Sequence, residues 1–516
     1  MIPSQSRAHH EPIVRLFDNP ILRAQRRRSL RGSSLLKACF VPLALGVCGL
    51  VAGRVQIGPL QFRYSLKALL FLCGAVLFLR ATSRLSSLMA NERNSGMLEF
   101  HQATPTTGWT DALGYLFGGG VRQYITTAVL FPFILVASLM TEVSVITSTL
   151  AVLVLLSTAI TYQLLAMLLG LIGGKRGFFG SLATGIPILL VIFGGALSRT
   201  KASPIALLTP YPALADLGIY GAPELSQTYV FGAEVNTVLL SLGYHLVLSF
   251  FLLWALARKL RRTDATLFSR PGAIALFSLL SGLLVSDLHR PDAFTGRLFL
   301  FSYLTMSALF AVLAIGSICP TLLSYTRRLR RIETEPSLRH SVWDDDARIW
   351  PTVAVIAGVW CVQFYFASLR FGDLGVIHSI DDLRTVNLVG QYLGLFVFAA
   401  AVFEFAFFGS RRPTLSTLGL SLLVFVVIPW LFFASSHTNP NIGFLRYAGA
   451  LSPTFGAVFS STFYLAPLSD LPITDGLEYV SHALTWLLSG LLIWRTQTVI
   501  RRYESTLRQY ERQNEP

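Results

Sequence analysis

Between residues 89 and 110 the chain reads MANERNSGMLEFHQATPTTGWT, a polar stretch caught between apolar ones, with two carboxylates, Glu92 and Glu99, seven positions apart. On a helix that spacing puts both on one face, where they offer negative charge to a basic partner. Met97, Leu98 and Phe100 supply an apolar anchor beside them. Gly96 allows close backbone approach, and Thr104 ahead of Pro105 suits a helix end, because the residue before proline is biased out of the α region. This is chemistry of contact and not of bond breaking. A loop helix packing on its own bundle is the alternative use of the same residues.

Bond-breaking motifs are missing elsewhere. A phosphate-cradling G-x-x-x-x-G-K-[ST] loop is approached only by GLIGGKRG at 170–177, which has Leu169 where the first glycine belongs and Arg176 after the lysine. No H-E-x-x-H, G-x-S-x-G or Cys/His cluster occurs, and Cys39, Cys48, Cys73, Cys319 and Cys361 all fall in apolar segments, where they read as packing residues. The run Asp344, Asp345, Asp346 reads as a solvated charged loop as readily as a metal site. Gln163, His245, Glu404 and His482 lie inside apolar runs, where polar groups are costly. For the amide and the imidazoles interhelical hydrogen bonding is the default reading, and Glu404 reads as a neutral or paired structural carboxylate or as a substrate contact.

The elements that must position these residues are membrane helices. Of 516 residues 53% are hydrophobic and 13% charged, against about a quarter charged in an average soluble domain. Apolar runs long enough to cross a bilayer fall at about 38–53, 66–83, 121–140, 143–173, 178–197 and 235–257, and again at 272–286, 298–324, 350–369, 387–409, 415–435 and 479–498. The expected fold class is therefore an all-α polytopic membrane protein of about twelve transmembrane helices. Arg270 and Pro271 interrupt the start of the seventh.

The net charge of +15 is explained by topology, with no nucleic-acid partner. Basic clusters at 175–176, 258–262, 327–331 and 411–412 all fall on one side if the N-terminus is cytoplasmic, as the positive-inside rule asks. Residues 12–37 mix apolar side chains with arginines and are expected to lie on that surface as a basic amphipathic helix meeting anionic membrane lipid; a disordered basic tail is the alternative. The expected organisation is a cytoplasmic N-terminal segment (1–37), a first membrane half (38–258), a second (259–500) and a cytoplasmic tail (501–516). The halves share ordered landmarks: the basic pairs at 175–176 and 411–412, Pro187 with Pro429, and Pro210 with Pro453. Equivalent landmarks keep the same side, so the expected relation is two parallel six-helix repeats.

The run NERNSGMLEFHQATP resembles the segment after the second helix of type-2 ABC exporter permeases, an E-[RK]-x-x-G-x-L-E run followed by T-P. Glu92, Arg93, Gly96, Leu98, Glu99, Thr104 and Pro105 match without a gap, and DNPILRAQRRRSLRG resembles that family's opening, with Ala24 and Gln25 where an acidic residue often stands. The resemblance implies a permease subunit in a bacterial-type inner or plasma membrane, both termini cytoplasmic. Its coupling helix within 89–110 docks on a separate ABC ATPase subunit. That partner carries ATP and Mg, so this chain needs no cofactor of its own, and additional permease or accessory subunits can join. The corresponding stretch of the second half, 324–350, keeps Glu333, Glu335 and Pro336 without the E-R-x-x-G-x-L-E run, which implies a second, divergent coupling element. A gradient-driven secondary transporter with twelve helices is the rival reading, in which Glu404 matters most. A polytopic membrane enzyme lacks any motif to act with.

Overall fold

The computed structural model describes residues 19–31, 33–55, 59–102, 106–141, 143–173, 185, 206–219, 227–230, 233–262, 265–287, 296–334, 341, 343–373, 383–409 and 476–514. Apart from Gly185, the spans expected at 178–197 and 415–435 lie outside these residues, as do Pro187, Pro429 and Pro453. Among the described residues seven helices are long and apolar enough to cross a membrane, with two shorter apolar helices beside them. Their surfaces carry large apolar side chains such as Phe40, Val47, Leu246 and Phe250, each more than 40% exposed. Such faces suit acyl chains rather than water, and the chain is a polytopic helical membrane protein. A two-stranded sheet, β1 (Gln227–Val230) and β2 (Ala233–Asn236), is a small departure from an all-α fold.

The chain divides into two compact units, Met1–Thr228 with Glu234–Thr263, and Tyr229–Ala233 with Asp264–Pro516. The first contains α1 (Pro20–Ser29), α2 (Ser33–Val55), α3 (Pro59–Ala75), a π-helical turn at Val76–Arg80, α4 (Ala81–Asn94), α5 (Met97–Gln102), α6 (Gly108–Gly119), α7 (Val121–Leu139), α8 (Val145–Gly173), α9 (Tyr211–Asp216) and α10 (Thr237–Arg261). Here α4 packs on α8, α8 on α10, α1 on α6, and α7 on both α2 and α3. Leu66, Leu70, Leu77, Leu130, Ile134 and Leu155 form the heart of its core.

The second span runs further than hydropathy indicates. From Pro59 to Asn94 the helix is continuous through the π turn, and at 1.5 Å per residue it is roughly 54 Å long, well beyond a hydrocarbon core of about 30 Å. The start of the polar stretch at 89–110 is therefore the projecting end of a membrane helix, not a loop. At the π turn Gln163 Nε2 donates to the Leu77 carbonyl at 3.3 Å, and Tyr124 donates to Gln163 Oε1. The intramembrane amide is thus used to satisfy backbone loosened by the wide turn.

The second unit contains α11 (Arg270–Asp287), α12 (Gly296–Ser317), α13 (Leu322–Thr334), α14 (Trp350–Asp373), α15 (Leu383–Gly409) and α16 (Gly476–Asn514). Trp360 stacks on Phe364 and Tyr392 at 5.3 and 5.2 Å and donates to Ser307 Oγ at 2.9 Å. Two expectations are corrected here. The span at 298–324 is broken, because Pro320 lacks an N–H and disfavours helix at Cys319; the Ser317 carbonyl accepts from Leu267 N at 2.9 Å instead. Arg270 and Pro271 do not interrupt α11 but begin it, proline being suited to a first turn. The last span and the tail are one helix, since α16 runs unbroken to Asn514.

Candidate functional site

The residues around Glu92 are positioned by a helix that ends and restarts. Ser95 N donates to Asn91 O at 2.9 Å and Ser95 Oγ to Glu92 O at 3.1 Å, closing the last turn of α4. Gly96 then takes φ +74, the left-handed conformation that ends helices and strains any residue with a Cβ, and α5 starts at Met97. A Cβ at Gly96 would meet nothing within 4 Å. Its requirement within this chain is backbone sign, with open space beside it among the described residues.

This break undoes the shared face expected of the two carboxylates. Glu92 is 6% exposed and accepts from Gln25 Nε2 at 3.2 Å, with Arg28 at 4.0 Å, whereas Glu99 is exposed on α5. Burial first, and then the charges of Glu92 and Asp111, push the nearby Tyr115 hydroxyl well above its ordinary range, so it stays protonated. The apolar anchor is also divided: Leu98 is 3% exposed and faces the fold, while Met97 is 43% exposed. The side chain of Phe100 lies outside the described residues, as do Thr104 and Pro105 entirely. Arg93 turns back to the end of α8, where its Nη1 donates to the Leu171 and Ile172 carbonyls, the second at 2.6 Å. It caps orphan carbonyls of a neighbouring helix.

The far end of α5 is tied to α10. Gln102 Nε2 donates to Leu260 O at 3.1 Å, and Arg261 reaches Thr106 Oγ1 at 3.2 Å and Asp111 at 3.6 Å. Behind this, α1 lies on α6. Asn19 caps α1 by accepting from Ile21 N at 2.9 Å and donates to Thr110 O at 2.6 Å; Ser29 Oγ donates to Gly118 O at 3.3 Å. The fit depends on Gly114 and Gly118, where a Cβ would stand 2.5 Å from Asn19 Nδ2 and 2.9 Å from Gln25 Cβ. The described part of the N-terminal segment thus buries Asn19, Ile21, Gln25 and Ser29 against protein and leaves Arg23, Arg26, Arg27 and Arg28 exposed.

In the second unit Glu335 and Pro336 lie outside the described residues, as does the side chain of Glu333. What is described is α13 and the loop that returns from it. Arg331 pairs with Asp346, Arg328 Nη2 donates to Ser341 O at 2.9 Å, and Asp344 Oδ2 accepts from Ser341 N at 3.0 Å. Two of the three aspartates therefore serve the loop itself. Deeper, Arg348 grips Glu404 through both carboxylate oxygens, at 2.6 and 3.3 Å, with Glu404 1% exposed. Burial pulls Arg348 down, but the hydrogen bond and charge of Glu404 outweigh it and hold the guanidinium above its ordinary value. Arg270, fully buried, donates to the Ala347 carbonyl. Among the described residues no group of three His, Cys, Asp or Glu comes together to hold a metal.

His245 bonds to Thr158 and Thr161 at 3.0 and 3.2 Å, and His482 Nε2 accepts from Trp486 Nε1 at 2.8 Å, so both imidazoles are engaged between or along helices. The sequence reading missed Gln25, Tyr115 and Arg348. Only Asn19, a cap residue before a proline, carried a local signal. Comparison with family models, curated proteins and solved structures gives no match to this chain.

Proposed function

We propose that the chain is the permease subunit of an ATP-driven ABC exporter, moving a substrate across the membrane by alternating access while a separate ATPase subunit binds ATP and Mg and does the hydrolysis. The observation that carries this reading is the setting of α5. It leaves the end of a membrane helix at Gly96, presents Met97 and Glu99 outward, and is tied at its other end to the last turn of α10. A push on that surface reaches two membrane helices at once. The resemblance of Glu92 to Pro105 to the coupling segment of type-2 exporters supplies the partner's identity.

Within this reading the roles divide. Met97 and Glu99 form the docking surface, while Glu92, Arg93, Gly96 and Leu98 are the frame that holds it. Twelve helices in two parallel repeats, cytoplasmic termini and a divergent second element at 324–350 belong to the same proposal. The pairing of Glu404 with Arg348 leaves that carboxylate occupied, which weighs against the gradient-driven rival.

The test is co-purification of the full chain with its ATP-binding subunit. Glu99→Arg with Met97→Asp is expected to abolish capture, whereas Glu99→Gln weakens it. Unchanged capture by the first variant sinks the docking surface. Transport that persists without ATP and stops in Glu404→Gln favours the rival.

A further inference from the structure

We infer that the first unit holds a bilayer phospholipid with an anionic headgroup in a cleft between α2, the α3–π segment and α7. The cleft has a volume of about 540 Å³, within the range of sites that take small ligands. Its lining is graded along the helices. Lys37, near the start of the α2 span, Arg80, at the end of the π turn, and Arg122, at the start of α7, supply three cations at one end. Val41, Leu45, Leu72, Val76 and Leu130 follow one to three turns deeper on the same helices. A cationic mouth over an apolar floor is the complement of a phosphate head on an acyl chain.

Two further observations point to a ligand. Among the described residues no Asp or Glu lines the cleft, and Arg84 lies close enough to Arg122, Arg80 and Arg28 to feel their charges. Arg122 spends its Nε on the Ser29 carbonyl, and Arg84 donates to Ser29 Oγ at 2.6 Å, so the cluster is pinned in place rather than splayed into solvent. Guanidinium groups crowded beside a cleft whose described lining holds no carboxylate suit an anion. In addition, Gln123 lines the cleft at 3% exposure with its Oε1 lacking a partner among the described residues. An amide there can bond a glycerol hydroxyl or, turned over, an ester or phosphate oxygen.

The site is independent of the transport reading, since it rests on geometry away from α5. It is tested with the full-length chain in nanodiscs carrying spin-labelled phosphatidylglycerol or phosphatidylcholine, reading the motionally restricted fraction. Phosphatidylglycerol is expected to be retained preferentially, and Lys37→Gln with Arg80→Gln to weaken that retention by roughly tenfold or more. Among the described residues neither side chain makes a hydrogen bond or an ion pair, and unchanged thermal unfolding confirms that the variant folds. Leu45→Trp keeps every charge but fills the apolar floor, so it too should lower phosphatidylglycerol retention. Equal retention of the two lipids, or wild-type retention in both variants, overturns the proposal. Displacement by millimolar inorganic phosphate also overturns it, because the cleft then reads a free anion and not a lipid.

Discussion

The two units each bury a carboxylate near the end of a long apolar helix, and they satisfy it by different means. Glu92 sits among neutral donors, with the Gln25 amide at 3.2 Å and Arg28 only at 4.0 Å and itself 75% exposed. Glu404 instead takes both arms of Arg348. Around Glu92 caps and backbone bonds from Asn19, Ser29, Arg93 and Gln102 predominate, beside the ion pair of Arg261 on Asp111. Around Glu404 ion pairs carry more, Arg348 on Glu404 and Arg331 on Asp346, beside backbone bonds from Arg270 and Arg328. Hydrogen bonds to backbone fix angle and register, whereas ion pairs fix proximity. The first arrangement fixes the orientation of a helix end, and the second keeps a loop closed.

That contrast predicts a graded set of mutational effects. Glu404→Gln should be the most damaging, at about 3–5 kcal/mol, because it leaves a half-buried guanidinium without its counter-ion. Joint replacement by Arg348→Met with Glu404→Leu should recover most of the loss in thermal unfolding, and failure of that rescue would show that the pair does more than neutralise itself. Glu92→Leu should cost less, about 1–3 kcal/mol for the stranded Gln25 amide, with the loss confined to the first unit; an effect as large as that of Glu404→Gln would erase the distinction. Gly96→Ala should cost about 1–2 kcal/mol from the left-handed backbone alone, and because the site is open the cost should not grow with side-chain size. Asp346→Asn should cost least, under about 1 kcal/mol, since Arg331 is 58% exposed. Its effect should also shrink as salt is raised, and a salt-independent loss would mark the pair as buried in function if not in area.

The membrane helices were legible because each requires an apolar run about twenty residues long, a signal carried entirely within the segment. Span ends were legible only where a local rule applied. Pro320 could have been read as a break, but the apolar residues around it masked the signal within a hydropathy window. Arg270 and Pro271 were misread as an interruption because burial of an arginine depends on a carbonyl, that of Ala347, far along the chain. The polar stretch at 89–110 was found by composition, but its geometry was not. Seven-residue spacing puts Glu92 and Glu99 on one face only of an unbroken helix, and Gly96 breaks it. Equally, nothing within 12–37 announces that its polar side chains meet protein; that is decided by Gly114 and Gly118, about ninety residues away.

The wide turn at Val76–Arg80 has a consequence for how this helix tolerates change in length. A residue accommodated there shifts the azimuth of everything that follows by about 100° relative to a regular helix, so the turn acts as an indel absorbed into the membrane segment. Removing one residue from it would rotate Glu92 away from Gln25 and Arg93 away from the end of α8 together, while the apolar run lost almost nothing in length. Insertion into the bilayer would go ahead as before, and the projecting end would emerge facing the wrong neighbours.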